Sequence, residues 1–455
     1  MSSPAHIAVI GGGVTGLRAA HALARQGTSV RLFESATRLG GPVHSTQQDG
    51  WLSESGPNSV QRNTDLDQLL GELNLLAEVR EARPEARNRY ILRGGKPVPA
   101  PSSPPGLLTS PLFGIGAKLR VFTEILKRPR TRRNDVSLAD FISDHFGEEI
   151  VEYGVNPFVS GVYAGNPDKL SARHAFPSLW SMEREHGSII RGQISSAKAK
   201  RARGESAGPP KIVSLAPGLG SLVDAMHNAL PAGCVELNAR VETLLPGERW
   251  SLVWQRDDQT HTETFDRVIL AVPAAGLARM RIGSLGERPL AALADIEYPP
   301  VASLFLGYRR EQVAHPLDGF GMLVPAAERR RILGVLFSST LFDQRAPEGH
   351  VALTVMFGGS GRPDLGRADE ATLGRIAAEE LQDLLGVDGE PVYRQCHAWP
   401  RAIPQYNLGY ERFLHAIEDC EHRNKGVLIG GHVRDGISLP NCLAAGRKLA
   451  ERASA

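Results

Sequence analysis

The sequence predicts an α/β fold from three features. These are a strand–glycine turn–helix–strand unit at the N-terminus, a strand–glycine turn–helix unit at the C-terminus, and mixed strands and helices between them, interrupted by one wholly helical stretch. His6 to Ile10 is a short apolar run with β-branched residues, followed by Gly11, Gly13 and Gly16 and by a helical pattern at Val14, Leu17 and Leu23. Glycines at this spacing permit a tight turn, close approach of backbone to a pyrophosphate and close packing of helix on strand. Val14 and Thr15 fall at the helix start, where unsatisfied N–H groups attract phosphate. Gly27 ends the helix and "SVRLF" forms the second strand. Glu34 closes that strand 23 positions after Gly11, where a ribose-binding carboxylate belongs, with Ser35 beside it. The complete strand–loop–helix–acid context reads as a dinucleotide site.

After Glu34, "SATRLGGPVHS" sets Arg38, Gly40 and Gly41 in one short loop. This Glu-x3-Arg-x-Gly-Gly pattern resembles FAD-binding amine oxidases and their relatives, in which the loop passes beside the pyrophosphate. The resemblance implies non-covalent FAD rather than NAD. The stretch "SESGPNSVQRN" has the composition of a surface β-turn. In the superfamily it resembles, this segment crosses near the isoalloxazine ring, so Gly56, Pro57, Asn58 and Ser59 are expected at the reactive end of the cofactor. The closing "GVLIGGHVRDGISLPNCLAAGRKLAERA" places Gly431, His432, Gly436 and Ile437 in a turn before a helix. Val241 and Trp399 complete the expected cofactor contacts. Cys442 lies near this segment, and a buried thiol is expected there rather than a thioether.

Leu66 to Leu76 is helical by spacing. "ARNRYILRGGKPVPAP" alternates as a strand and turns at Gly94-Gly95, with Arg87, Arg89 and Arg93 on one side; such a face meets solvent or lines a cavity that wants anions. From Leu107 to about Gly192 the pattern is helical. Ile115, Leu119, Phe122 and Leu126 form one apolar stripe, and five basic residues follow between Lys127 and Arg133. That combination suits either packing on its own domain or an anionic membrane surface. Ser196 to Pro210 reads as a polar, basic, flexible loop. The expected division is an FAD domain from residues 1–86, 212–278 and 396–455, a mixed α+β substrate domain from 87–94 and 279–395, and a helical, membrane-associating domain from 95–211.

"PFVSGVYAGNPDKLSARHAFPSLWSMEREHGSIIRG", "FSSTLFDQRAP" and "WPRAIPQYNLGYERF" closely resemble the oxygen-dependent, FAD-containing protoporphyrinogen oxidases. With "NRYILRGGKPVPAP" and both FAD ends, the resemblance runs along nearly the whole chain. It implies conversion of a porphyrinogen to its porphyrin in haem synthesis, with hydride passing to the flavin and O2 as final acceptor, releasing H2O2. It further implies that Arg89 holds a substrate propionate, that the backbone of Gly161 lies against the macrocycle, and that Asn58 sits near flavin and substrate. Leu323 and Phe337 are the expected apolar walls. Arg434 and Asp435 depart from the smaller or apolar residues of many relatives. Coproporphyrinogen oxidation is the nearest alternative, since its four propionates call for a more cationic pocket. Amine oxidation is the next, although the nine lysines include none in an obvious flavin-contacting motif.

A net charge of +2 over 455 residues gives no global field for nucleic acid, and the four cysteines lack metal-ligand spacing, so no metal is expected. The strand begins almost directly after Met1, giving the expectation of a cytoplasmic protein, peripheral on the inner face of the membrane. A chelatase and a homodimeric second copy are the further partners considered.

Overall fold

The computed structural model describes residues 5–204, 208, 211–284 and 286–455. Its nucleotide-type sheet has five parallel strands. In spatial order they are Val235–Glu236, Ser29–Phe33, His6–Ile10, Arg267–Leu270 and Val427–Ile429. Parallel strands bury both faces, which is why residues 7–10, 32–33 and 268–270 are continuous buried apolar runs. One face packs under the helices Val14–Arg25 and Leu439–Ser454, with Leu17, Leu23, Leu443 and Leu449 in a common core. Strands Arg240–Leu245, Trp250–Arg256 and Gln259–Phe265 make an antiparallel layer over the other face, sharing a core with Phe33 and Leu270.

A second sheet has seven strands. Its spatial order is Tyr393–Trp399, Val301–Arg309, His350–Gly358, Gly334–Leu336, Gly319–Leu323, Asn88–Arg93 and Lys96–Pro99. The helix Glu370–Leu385 covers one of its faces, and the other looks toward the nucleotide-type lobe. Lys96–Pro99 and Tyr393–Trp399 both pair inside this sheet, so it overruns the bounds expected from sequence by a few residues at each end. Arg281–Ile282 pairs instead with Arg240–Leu245.

The helical lobe follows. Helices Ile115–Glu124, Leu138–Phe146, Pro177–His186 and Ile189–Ala202 are tied by a buried polar cluster. His145 lies between Glu124 (Nδ1 to Oε1, 2.7 Å) and Glu183 (Nε2 to Oε1, 3.2 Å). Glu124 also receives the N–H groups of Ile189 and Ile190, and Arg132 forks onto Glu183. Burial alone would raise the Glu124 carboxyl. The hydrogen bonds from His145, Ser188, Ile189 and Ile190 outweigh it and hold that group down at about 2. The expected flexible loop at 196–210 is corrected in its first part, because the last helix runs to Ala202. Residues 205–207, 209 and 210 lie outside the described residues.

Candidate active site

The carboxyl ends of the parallel strands form the crevice where α/β sheets bind nucleotides. Gly11 has φ of +103°, and a Cβ there would stand 2.5 Å from Ala271 O. A Cβ on Gly16 would lie 1.9 Å from Gly11 O, so helix and turn touch backbone to backbone. Gly13 meets nothing within 4 Å; its open side is the cradle that a pyrophosphate fits. Val14 and Thr15 begin the helix there and are buried. Glu34 is held ready by Gly12 N (2.6 Å to Oε2) and by Ala36 N and Ser35 Oγ (2.7 and 3.2 Å to Oε1). Ala239 N donates to Glu34 O at 2.8 Å, which brings the strand carrying Val241 alongside.

Gly40 N donates to Gly12 O at 2.8 Å, and Gly40 and Gly41 both have positive φ, so the Arg38–Gly41 loop folds back over the glycine turn. Arg38 donates to Leu39 O and has no carboxylate partner among the described residues. The Gly56–Ser59 segment is pinned from two sides. Ser55 Oγ donates to Pro42 O (2.9 Å), and Trp399 Nε1 donates to Ser55 O (2.7 Å). A Cβ on Gly56 would meet Pro42 O at 2.4 Å. Asn58 makes only a long contact with Gly56 O at 3.4 Å, leaving most of its amide for a ligand.

On the C-terminal side, Gly431 and Gly436 turn at φ of +103° and +104°. Arg434 pairs with Glu421 at 3.1 Å, away from the crevice, and Asp435 accepts from Gly431 N at 2.7 Å. These two departures from the related sequences therefore secure the turn. Tyr406 donates to His432 O and accepts from Gly436 N, and Tyr410 donates to Val433 O. Ile437 packs against the core behind. Burial pushes the Cys442 thiol up to about 11, which leaves it a poor nucleophile and suits non-covalent binding.

The free side of the seven-stranded sheet meets the nucleotide-type lobe where Phe305 packs on Trp51 and where Trp399 donates to Ser55 O. Register places Arg89 opposite Gly321, Ile91 opposite Leu323, Gly334 opposite Met356 and Gly321 opposite Leu336. Paired residues share a face, so Arg89, Leu323, Leu336 and Met356 belong to one wall. Leu323, Leu336 and Met356 are half-buried and Arg89 is exposed, its guanidinium 5.0 Å from the Phe320 ring centroid and without a carboxylate partner among the described residues. Gly161 closes the wall from the helical lobe, and a Cβ on it would stand 2.5 Å from Leu323 Cδ2. It lies in a π-helical turn, Val159–Tyr163, that follows Pro157. Asn156 Oδ1 accepts from Ala326 N, and Tyr153 Oη donates to Glu328 Oε1 at 3.5 Å, so the segment that leads into this turn is fixed to the sheet.

Residues 14–454 match the family model described as "Flavin containing amine oxidoreductase". The chain belongs to this family. It is 34% identical to the mitochondrial protoporphyrinogen oxidase of Nicotiana tabacum, over 99% of this chain and 95% of that one. It is 26% identical to the coproporphyrinogen III oxidase of Bacillus subtilis (strain 168), over 97% and 96%. A solved chain from Exiguobacterium sp. 255-15 has the same fold, with a TM-score of 0.82 at 23% identity over 100% and 99% of the two chains. As a flavin-containing oxidoreductase the chain uses FAD, and the cradle described above fits it. FAD supplies two-electron acceptance when bound. Gly13 and Glu34 are the residues that would hold the dinucleotide, with the weakly bonded amide of Asn58 available toward the other end of the crevice.

Two expectations need correction in this flavin oxidoreductase. Phe337 is fully buried in the core on the opposite side of the sheet, packed against Tyr90 and His315, so it is no wall of the site. Adjacent strand residues point to opposite faces, and its neighbour Leu336 holds the wall position. Arg93 is likewise spent: it pairs with Glu149 at 2.7 Å and covers Tyr153, while Arg87 and Arg89 stay exposed. Leu336 and Met356 were not marked by the sequence pattern.

Proposed function

We propose that the chain oxidises protoporphyrinogen IX to protoporphyrin IX, with O2 as final acceptor and H2O2 as the reduced product. The observation that carries this reading is the wall itself. It has an apolar surface for a macrocycle, a backbone-only approach at Gly161, and at its rim arginine that has no carboxylate partner among the described residues. With Arg93 neutralised, Arg87 and Arg89 remain, which supports a substrate with two propionates over one with four. Coproporphyrinogen III is the second reading, supported by the Bacillus subtilis relative. Anaerobic bleaching of the flavin with each porphyrinogen tests both. Rapid bleaching by protoporphyrinogen and much slower bleaching by coproporphyrinogen is expected, and the reverse order would select the second. Arg89→Ala should raise KM by about 10- to 50-fold with little change in kcat, the loss of one charge-assisted carboxylate contact. An unchanged KM would remove Arg89 from the site.

We further propose that the helix Ile115–Glu124 docks on an anionic membrane surface, peripheral on its cytoplasmic side. Ile115, Leu119, Phe122 and Leu126 are 77%, 60%, 43% and 76% exposed, so the stripe does not pack on its own domain. Lys118, Arg120 and Lys127 flank it. Among the described residues no helix is long and apolar enough to cross a membrane. Leu119→Glu with Leu126→Glu should release the protein from vesicles of mixed zwitterionic and anionic lipid in co-sedimentation. Binding that survives both changes would count against this surface. A chelatase or a second copy of the chain as partner belongs to the same proposal.

A further inference from the structure

Tyr298 stands between two elements of the cofactor crevice. Its hydroxyl accepts from Ala274 N (3.2 Å), just past the end of the Arg267–Leu270 strand. It also lies 3.0 Å from His432 Nε2, just past the end of Val427–Ile429. A phenol carries one proton and accepts through its oxygen. The Ala274 contact uses the oxygen as acceptor, because a backbone N–H can only donate. Among the described residues, the phenolic proton then has one acceptor in reach, His432 Nε2. If His432 carried its own proton on Nε2, two donors would face the Tyr298 oxygen and the phenolic proton would be left without a partner in a largely buried place, a costly arrangement. Proton bookkeeping therefore leaves Nε2 bare and puts the histidine proton on Nδ1.

The surroundings agree. Desolvation lowers His432 to about 4, so the ring is neutral near neutral pH. Burial pushes the Tyr298 phenol up, which keeps its proton in place. Tyr406 grips the His432 carbonyl and Gly436 N, so the backbone that carries the ring is fixed. The nitrogen that remains, Nδ1, makes no hydrogen bond to the described chain. The residue follows Gly431, on which a Cβ would stand 3.4 Å from Thr15 Oγ1 at the start of the first helix. We infer that Tyr298 is a positioning residue that fixes the tautomer of His432 and so presents Nδ1–H to the crevice as a hydrogen-bond donor for bound FAD. The phosphate oxygens and ring carbonyls of FAD are acceptors, and to these an imidazole of the other tautomer would offer only a lone pair. This holds whichever porphyrinogen is the substrate.

Two measurements on the FAD-loaded protein test it. With 15N-labelled histidine, the His432 signals, assigned by their loss in His432→Asn, should show Nδ1 protonated and Nε2 bare, unchanged between about pH 6 and 8. An Nε2–H pattern or a rapidly averaging mixture would overturn the inference. The second is a double-mutant cycle on the FAD dissociation constant, read by flavin fluorescence, with thermal unfolding as the check that each variant folds. Tyr298→Phe should weaken FAD about tenfold when His432 is present, the scale of one hydrogen bond, and have no effect in a His432→Leu background. An equal loss in both backgrounds would mean that Tyr298 acts only by supporting Ala274, and the inference would fall.

Discussion

Gly16→Ala is expected to give a colourless protein whose FAD dissociation constant is raised about 100-fold or more. The added Cβ would stand 1.9 Å from Gly11 O, and both partners of that clash are backbone. No rotamer change relieves it; the helix Val14–Arg25 must move off the strand His6–Ile10, and the open cradle at Gly13 goes with it. Overpacking of this kind costs about 1–3 kcal/mol or more, and the loss appears twice, in stability of the apo protein and in cofactor affinity. Gly13→Ala is the informative contrast. Gly13 has φ of −66° and ψ of 175°, which any L-residue adopts, and its Cβ would touch nothing within 4 Å. That variant should keep the thermal stability of the apo protein yet lose FAD, because the methyl enters the space the pyrophosphate needs. Flavin-fluorescence titration and unfolding of the apo proteins separate the two. A yellow Gly16→Ala protein with unaltered affinity would show that the turn is not the phosphate cradle.

That difference between two glycines of one motif marks how far sequence reading reaches. The glycine fingerprint and Glu34 were legible because the chemistry is local: strand, turn, helix and acid lie within one short stretch, and each residue's reason is a neighbour's backbone. The roles expected of Arg89 and Gly161 rest only on resemblance to a family, since nothing in "NRYILR" or "VSGVY" says what lies opposite. Phe337 looks like a wall residue in the sequence because "GVLF" is apolar at every position and so shows no alternation from which to choose a face. Met356 is hidden in the same way within "HVALTVMFG". Arg93 looked as available as Arg89 because its neutralising partner, Glu149, comes from another lobe. Tyr298 carries no local signal at all; its role exists only because two strand ends converge on it. Burial and periodicity are written in the chain, whereas pairings across lobes appear only when the chain is folded.

The buried pair Glu54–Arg345 is another such pairing, and Arg345→Met is expected to be the most damaging substitution outside the cofactor turn. Arg345 is 4% exposed and Glu54 5%. The guanidinium donates to Ser214 Oγ at 2.6 Å, lies 3.6 Å from Glu54 Oε1 and covers the Phe342 ring. Glu54 also receives Ser45 Oγ (2.6 Å) and Leu219 N (2.9 Å), so the pair joins the seven-stranded lobe to the FAD lobe. Beside it is a partly open pocket of about 10 Å³ lined by Asn58, room for about one water at Arg345 Nη1, which has no partner among the described residues. Removing the cation leaves a buried carboxylate without its counter-charge, which costs about 3–5 kcal/mol, whereas removing both charges costs far less. Glu54→Gln with Arg345→Met should therefore recover more than half of the loss in denaturant midpoint. The deficit of the single variant also has a sign with pH. Desolvation already raises the Glu54 carboxyl above its ordinary 4.5, and without Arg345 it rises further. A carboxyl raised in the folded state gives stability below its unfolded value that is lost as pH climbs through the folded one, so the gap to the parent protein should widen from about pH 5 toward pH 8. A deficit that stays flat over that range, or a double variant as unstable as the single, would show that Arg345 serves by packing alone.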